Sequence, residues 1–78
     1  MKYRLMEELN LGGIDIEVSK TSYIVPYQKE VIVLIAVLGS KGDDHFEVKQ
    51  NFTASSKTEI KKFIVEAKMK VIEVLNAQ

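Results

Sequence analysis

An uninterrupted apolar run from Val31 to Leu38 constrains the fold of this chain more than any other feature of its sequence. A run of this length is too short to cross a bilayer core of about 30 Å as a helix, which takes about 20 residues. It is of ordinary length for a β-strand, in which alternate side chains point to opposite faces of a sheet. Because both sets of side chains are apolar, the run predicts a central strand with two faces to bury.

The C-terminal part of the chain can cover only one of these faces. Apolar residues recur there at the spacing of one helical face, which predicts a helix from Lys57 to Asn76. The residues of this face are Ile60, Phe63, Ile64, Ala67, Val71, Val74 and Leu75. Ser56 and Glu59 have the spacing of a capping box, so we expect the Ser56 hydroxyl to cap the helix.

Two further segments alternate between apolar and polar residues and are predicted to be strands. One runs from His45 to Thr53. The other begins at Ile14 and continues toward Val25, and Pro26 is expected to end it or to mark an edge strand. The glycines and aspartates of residues 39–44 are typical of a hairpin loop.

Residues 1–11 fit two different structures. The helical interpretation depends on a short apolar stripe that is followed by glycines, as is expected at the end of a helix. These residues are Leu5, Met6, Leu9 and the pair Gly12-Gly13. As a strand, the segment alternates only at Tyr3 and Leu5, because Glu7 and Glu8 break the pattern. We therefore favour a short N-terminal helix.

These elements predict a single α+β domain over residues 1–78, with the order α-β-β-β-α. We expect a three-stranded antiparallel meander, with the long C-terminal helix packed on one face. A chain of this length buries only about 60% of its unfolded surface, which leaves no residues for a second core.

Composition and motifs argue against several function classes. The chain has no cysteine and one histidine, so it can form neither a disulfide nor a cysteine-based zinc site. Turn chemistry accounts for Asp43-Asp44-His45, and no phosphate-binding glycine motif is present. An enzyme would need a site such as Tyr23, Tyr27 and Glu30, which no spacing identifies. We therefore expect no catalytic residue, cofactor or metal.

The N-terminus lacks the apolar core of a secretory signal, which favours a cytoplasmic protein with no membrane segment.

A second apolar stripe on the predicted helix, formed by Val65, Met69 and Ile72, indicates a protein interface. Large exposed apolar patches are rare on monomers. The N-terminal helix, or the aliphatic stems of Lys61 and Lys68, would be alternative covers for such surplus apolar surface. Our main hypothesis is a small non-enzymatic protein-binding module. It would have a regulatory or accessory role, as in mobile elements or phages, and act as a homodimer or higher oligomer.

RNA binding is the alternative hypothesis. Lysines gather at the start of the last helix and in the hairpin loop, and the predicted element order resembles that of the double-stranded RNA-binding domain. The candidate RNA contacts among these lysines are Lys41, Lys57, Lys61 and Lys62. The sequence departs from that family at Glu59, which lies within the lysine cluster, and at residues 52–55, where the family has glycines. Eleven basic and eleven acidic residues also leave no net charge to attract nucleic acid.

Overall fold

The computed structural model describes residues 1–78 as one antiparallel sheet followed by a helix. The four strands lie side by side in chain order, and the connections between them are short. The elements are β1 (Lys2–Leu11), β2 (Ile14–Val25), β3 (Glu30–Lys41), β4 (Asp44–Thr53) and α1 (Lys57–Asn76). The α+β class, the antiparallel meander and the C-terminal helix are confirmed, whereas the sheet has four strands instead of three.

The predicted N-terminal helix is wrong, because residues 2–11 form the edge strand β1. Gly12 and Gly13 do not end a helix; they form the two-residue turn between β1 and β2, where Leu11 pairs with Ile14. Their φ angles are 59° and 84°. A two-residue hairpin turn with positive φ at both central residues favours glycine at both positions.

A β-bulge explains why β1 resembled a helix in the sequence. The pairing with β2 shifts by one residue between Leu5 and Glu7, so that Met6 is the extra residue. Leu5 pairs with Ser19 before the shift, and Leu9 pairs with Ile16 after it. Because residues directly opposite each other share a face, the apolar residues on the two sides of the bulge point to opposite faces. The resulting irregular spacing matches a helical stripe more closely than strict alternation.

The hydrophobic core lies between α1 and one face of the sheet, which we call the helix face. The side chains of β2 and β3 alternate between fully buried and more exposed positions, as their apolar patterns predict. The buried side chains are Ile14, Ile16, Val18, Val33, Ile35, Val37, Ala67, Val71 and Leu75. Phe46, Val48 and Phe52 of β4 pack against this cluster. The opposite face of the sheet, which we call the open face, is not covered by any element of the chain.

Two local predictions need correction. Gly39 is not part of a loop, because β3 extends to Lys41 and only Gly42 and Asp43 form the turn before β4. Gly39 is instead a buried position under α1. Ser56 precedes the helix but does not cap it, since its hydroxyl lies 2.7 Å from the hydroxyl of Thr53 and makes no hydrogen bond to a helix amide.

The helix is displaced toward one side of the sheet. It packs mainly on β3 and β4, touches β2 less, and keeps every Cα more than 8 Å from those of β1. A side-chain ion pair between Lys68 and Glu7 links α1 to β1. The helix face above β1 and part of β2 is therefore left uncovered.

Candidate interaction surfaces

The open face carries a row of apolar side chains along β3, which we call the apolar row. Its members are Ile32, Leu34, Ala36 and Leu38. All four are half-buried, whereas the helix-face residues of the middle of the same strand, Val33, Ile35, Val37 and Gly39, are fully buried. The second apolar face that the sequence predicts for this strand is thus present and lacks a cover. Residues 1–11 do not supply that cover, because they extend the sheet at its edge.

The residues beside the first half of the apolar row are uncharged. Tyr23 and Thr53 flank Ile32, while Thr21 and Asn51 flank Leu34. The Tyr23 hydroxyl donates a hydrogen bond of 2.9 Å to the side-chain oxygen of Asn51, so the tyrosine side chain reaches from β2 across β3 to β4. On β1, Tyr3 and Leu5 share this face and are 64% and 43% exposed. Apart from Glu30, which is exposed at the start of β3, this half combines aromatic and aliphatic side chains without charge, which is the composition of an interface core.

The other half of the open face is acidic. Glu17 and Glu47 flank Leu38, and Glu8 lies directly opposite Glu17 on β1. Lys49 approaches Glu47 at 3.9 Å, and both side chains are exposed. Charges at this end would remain in contact with water if the uncharged half were covered, as in the rim of an interface.

The predicted interface stripe of α1 lies on the other side of the sheet. Val65 and Met69 are 58% and 66% exposed, whereas Ile72 is half-buried and packs against the core. Because α1 occupies the helix face, this stripe and the apolar row cannot form one continuous surface. The assignment of Val65, Met69 and Ile72 to an interface stays a prediction.

A groove between the N-terminal half of α1 and the uncovered part of β1 and β2 forms a third surface, which we call the basic groove. Its cleft encloses about 220 Å³ and has an apolar floor with lysines around it. The lining residues are Met6, Lys20, Val33, Ile35, Ala54, Lys57, Ile60, Lys61 and Ile64. An adjoining depression is lined by Lys2, Arg4, Lys20 and Ser22, so the two depressions share Lys20.

The predicted RNA-contacting lysines do not form one surface. Lys57 and Lys61 both line the basic groove. Lys62 lies on the opposite flank of α1, near Gln50. Lys41 is at the far end of the helix, where its Nζ donates a 3.4 Å hydrogen bond to the Asn76 side chain. The element order α-β-β-β-α, on which the resemblance to the double-stranded RNA-binding domain depends, is absent because β1 replaces the first helix.

Sequence reasoning missed Lys2, Arg4 and Lys20 as members of a basic cluster. A signal for Lys20 was present: it continues the series Ile14, Ile16 and Val18, whose side chains point to the helix face. A lysine at the next position of that series is not expected on a face that is buried against a helix, because burial of its charge would be costly. It marks the place where the helix cover ends.

No group of three or more histidine, aspartate or glutamate side chains is placed to hold a metal ion. His45 pairs with the Ser40 hydroxyl at 3.1 Å, and Tyr27 is 98% exposed in the turn between β2 and β3. The structure has no helix that is both long and apolar enough to cross a bilayer.

No protein family model, curated protein or solved structure matches this chain.

Proposed function

We propose that the protein is a non-enzymatic protein-binding module that acts as a homodimer through the open face of its sheet. The observation that carries this proposal is the apolar row, which the single helix cannot cover because it packs on the opposite face. A strand with two apolar faces is typical of a sheet that is covered on both sides. A second copy of the chain would supply the missing cover, as in a β-sandwich.

The size of the open face is adequate for a specific dimer. Four strands spaced by about 4.8 Å and about ten residues long, at 3.4 Å per residue, span roughly 19 by 34 Å. The corresponding area of about 650 Å² is close to the roughly 800 Å² that each partner buries in a standard interface.

Two-fold symmetry also keeps the acidic ends apart. If the β3 strands of two copies cross in antiparallel directions, Glu17 and Glu47 of one copy lie at the opposite end from those of the other. The uncharged half, with Tyr23 and Leu34, then occupies the centre of the interface. A few residues near the centre, tyrosine often among them, contribute most of the binding energy in such interfaces, whereas exposed charges at the rim contribute little.

Light scattering coupled to size exclusion tests this proposal. At tens of micromolar we expect about twice the monomer mass of 8.8 kDa. Leu34→Glu should give a folded monomer, because it places a charge in the apolar row. Ala36→Lys changes the same surface and should also give a folded monomer. Its long polar side chain can extend into solvent from the open face of a monomer but not from a covered interface. Circular dichroism checks that both variants are folded.

Val65→Glu is the matched control, since it makes the same kind of change on the exposed flank of α1. It should leave the dimer intact. A wild-type protein that stays monomeric would refute the proposal. If Val65→Glu gives monomers and Leu34→Glu does not, the helix stripe is the interface and the open face is not.

A further inference from the structure

We propose that the basic groove binds a linear acidic peptide segment that inserts at least one apolar side chain into the cleft. The proposal rests on the protein-binding function proposed above, but it concerns the opposite side of the sheet. It names the class of partner that this second surface would accept.

The cations around the groove lack partners within the chain. Five basic residues surround it, and none has a carboxylate oxygen within 4.0 Å, because the two ion pairs of the chain involve Lys49 and Lys68. The five residues are Lys2, Arg4, Lys20, Lys57 and Lys61. Arg4 and Lys20 are directly opposite each other on neighbouring strands. Like charges in that position destabilise a sheet, so an anion that binds there would relieve a repulsion present in the free protein.

The floor of the groove selects for an apolar group as well as for charge. Its accessible apolar lining comes from Met6, which is 44% exposed, and from the half-buried Ile60 and Ile64 of α1, while Val33 and Ile35 close the base beneath them. The cleft volume of about 220 Å³ is below the roughly 300 Å³ at which enclosed small-molecule sites begin. It therefore suits one or two apolar side chains of a ligand whose remaining part lies outside, near the lysines.

The spread of the charges favours a peptide over a fatty acid or another anion with a single headgroup. Lys2 and Arg4 are two residues apart on β1, about 7 Å along the strand, and Lys57 and Lys61 lie one helical turn apart on the other side of the groove. Several carboxylates in series can reach cations on both sides, whereas a single headgroup meets only one or two of them. Nucleic acid fits less well, because no aromatic side chain lines the groove for base stacking.

Fluorescence anisotropy with a labelled probe peptide tests the proposal. The probe has about ten residues, the length of β1, and alternates glutamate with leucine. One control peptide replaces glutamate with lysine, and a second replaces leucine with serine. We expect the glutamate-leucine probe to bind, added salt to weaken it, and both control peptides to bind at least about tenfold more weakly.

Variants of the protein locate the binding site. Lys20→Glu combined with Lys61→Glu should weaken probe binding at least about tenfold. The matched control combines Lys62→Glu with Lys70→Glu, which reverses two charges outside the groove, and should change binding by less than about twofold. The milder pair Lys20→Gln and Lys61→Gln keeps the test valid if charge reversal disturbs folding. Equal effects of the groove and control pairs would overturn the proposal, as would a lack of probe binding at low salt.

Competition by an oligonucleotide and by laurate tests whether another class of ligand occupies the groove, and Leu34→Glu tests whether the probe binds the open face instead. Tighter binding of a single-stranded oligonucleotide would make nucleic acid the occupant, and equally tight binding of laurate would make the occupant a small amphipathic anion; either result overturns the peptide proposal. Leu34→Glu should retain probe binding even as a monomer. If Leu34→Glu abolishes probe binding and the groove variants do not, the peptide binds the open face and the groove proposal is wrong.

Discussion

Replacing Gly39 by alanine should destabilise the protein, because this glycine is where the helix approaches the sheet most closely. Gly39 is a buried position on the helix face of β3, beneath α1. A Cβ atom added there would overlap Cγ1 of Val71 and lie 2.9 Å from Cδ1 of Leu75. Both of these side chains are fully buried, so neither can turn into solvent to make room. The helix or the strand must therefore shift.

The size of the effect follows from two opposing contributions. Inserting a methyl group into a packed core costs about 1–3 kcal/mol. Replacing glycine by alanine also reduces the entropy of the unfolded chain, which stabilises the protein by about 0.4–1 kcal/mol. We expect Gly39→Ala to lower the free energy of unfolding by about 1–2 kcal/mol. A domain of 78 residues has a total stability of roughly 4–12 kcal/mol, so this loss is easily measured.

Urea denaturation followed by circular dichroism measures this loss, at one protein concentration because self-association would shift the midpoint. Ser40→Ala, at the next residue but on the open face, adds no atom to the core and loses only the exposed hydrogen bond to His45, so it should cost less. Val71→Ala removes Cγ1 and should relieve the overlap, so the double variant with Gly39→Ala should be about 1 kcal/mol more stable than the two single effects predict. A Gly39→Ala variant as stable as the wild type, or a strictly additive pair, would refute the reasoning.

Four further substitutions test local features of the fold by urea denaturation. Ser56→Ala should cost about 0.5–1.5 kcal/mol through the lost hydroxyl contact with Thr53, and Thr53→Ala should then add little more; full additivity would contradict this. Arg4→Glu should stabilise the protein by about 0.2–1 kcal/mol, because it turns the like-charged pair with Lys20 into an opposite-charged pair. Glu8→Lys should stabilise the protein by a similar amount, because Glu8 lies opposite Glu17 at the acidic end. Both gains should shrink in high salt. A loss of stability at low salt would show that these cross-strand charges do not repel.

Much of the core was predictable from periodicity alone. The helix bounds, Lys57 to Asn76, and the two faces of β3 follow directly from spacings of 3.6 and 2 residues. These patterns are readable because each element buries one regular set of side chains against its neighbour. The uncovered second face of β3 was also predictable, since one helix cannot pack on both sides of a sheet.

The edge strand was not predictable in the same way. The bulge at Met6 changes which face the following residues occupy, so Leu5 and Leu9 point to opposite sides although both belong to β1. A single sequence does not reveal this shift, because its cause is the pairing with β2 and not a local preference. The role of Gly39 was hidden for a similar reason. A glycine that admits a helix and a glycine that forms a turn look alike in the sequence, and only the packing of Val71 distinguishes them.

The least reliable inference from the sequence was that a chain of zero net charge does not attract a charged partner. Along the β1–β2 ladder, Arg4 lies opposite Lys20 and points to the helix face, whereas Glu8 lies opposite Glu17 and points to the open face. Opposite charges therefore cancel in the sum while they are separated in space. At physiological ionic strength, interactions between exposed charges are screened over about 8 Å, and the body of the sheet separates the two faces. A binding partner at the basic groove would therefore encounter a local positive surface. Net charge limits long-range attraction to the whole molecule, but it does not argue against an acidic partner at this site.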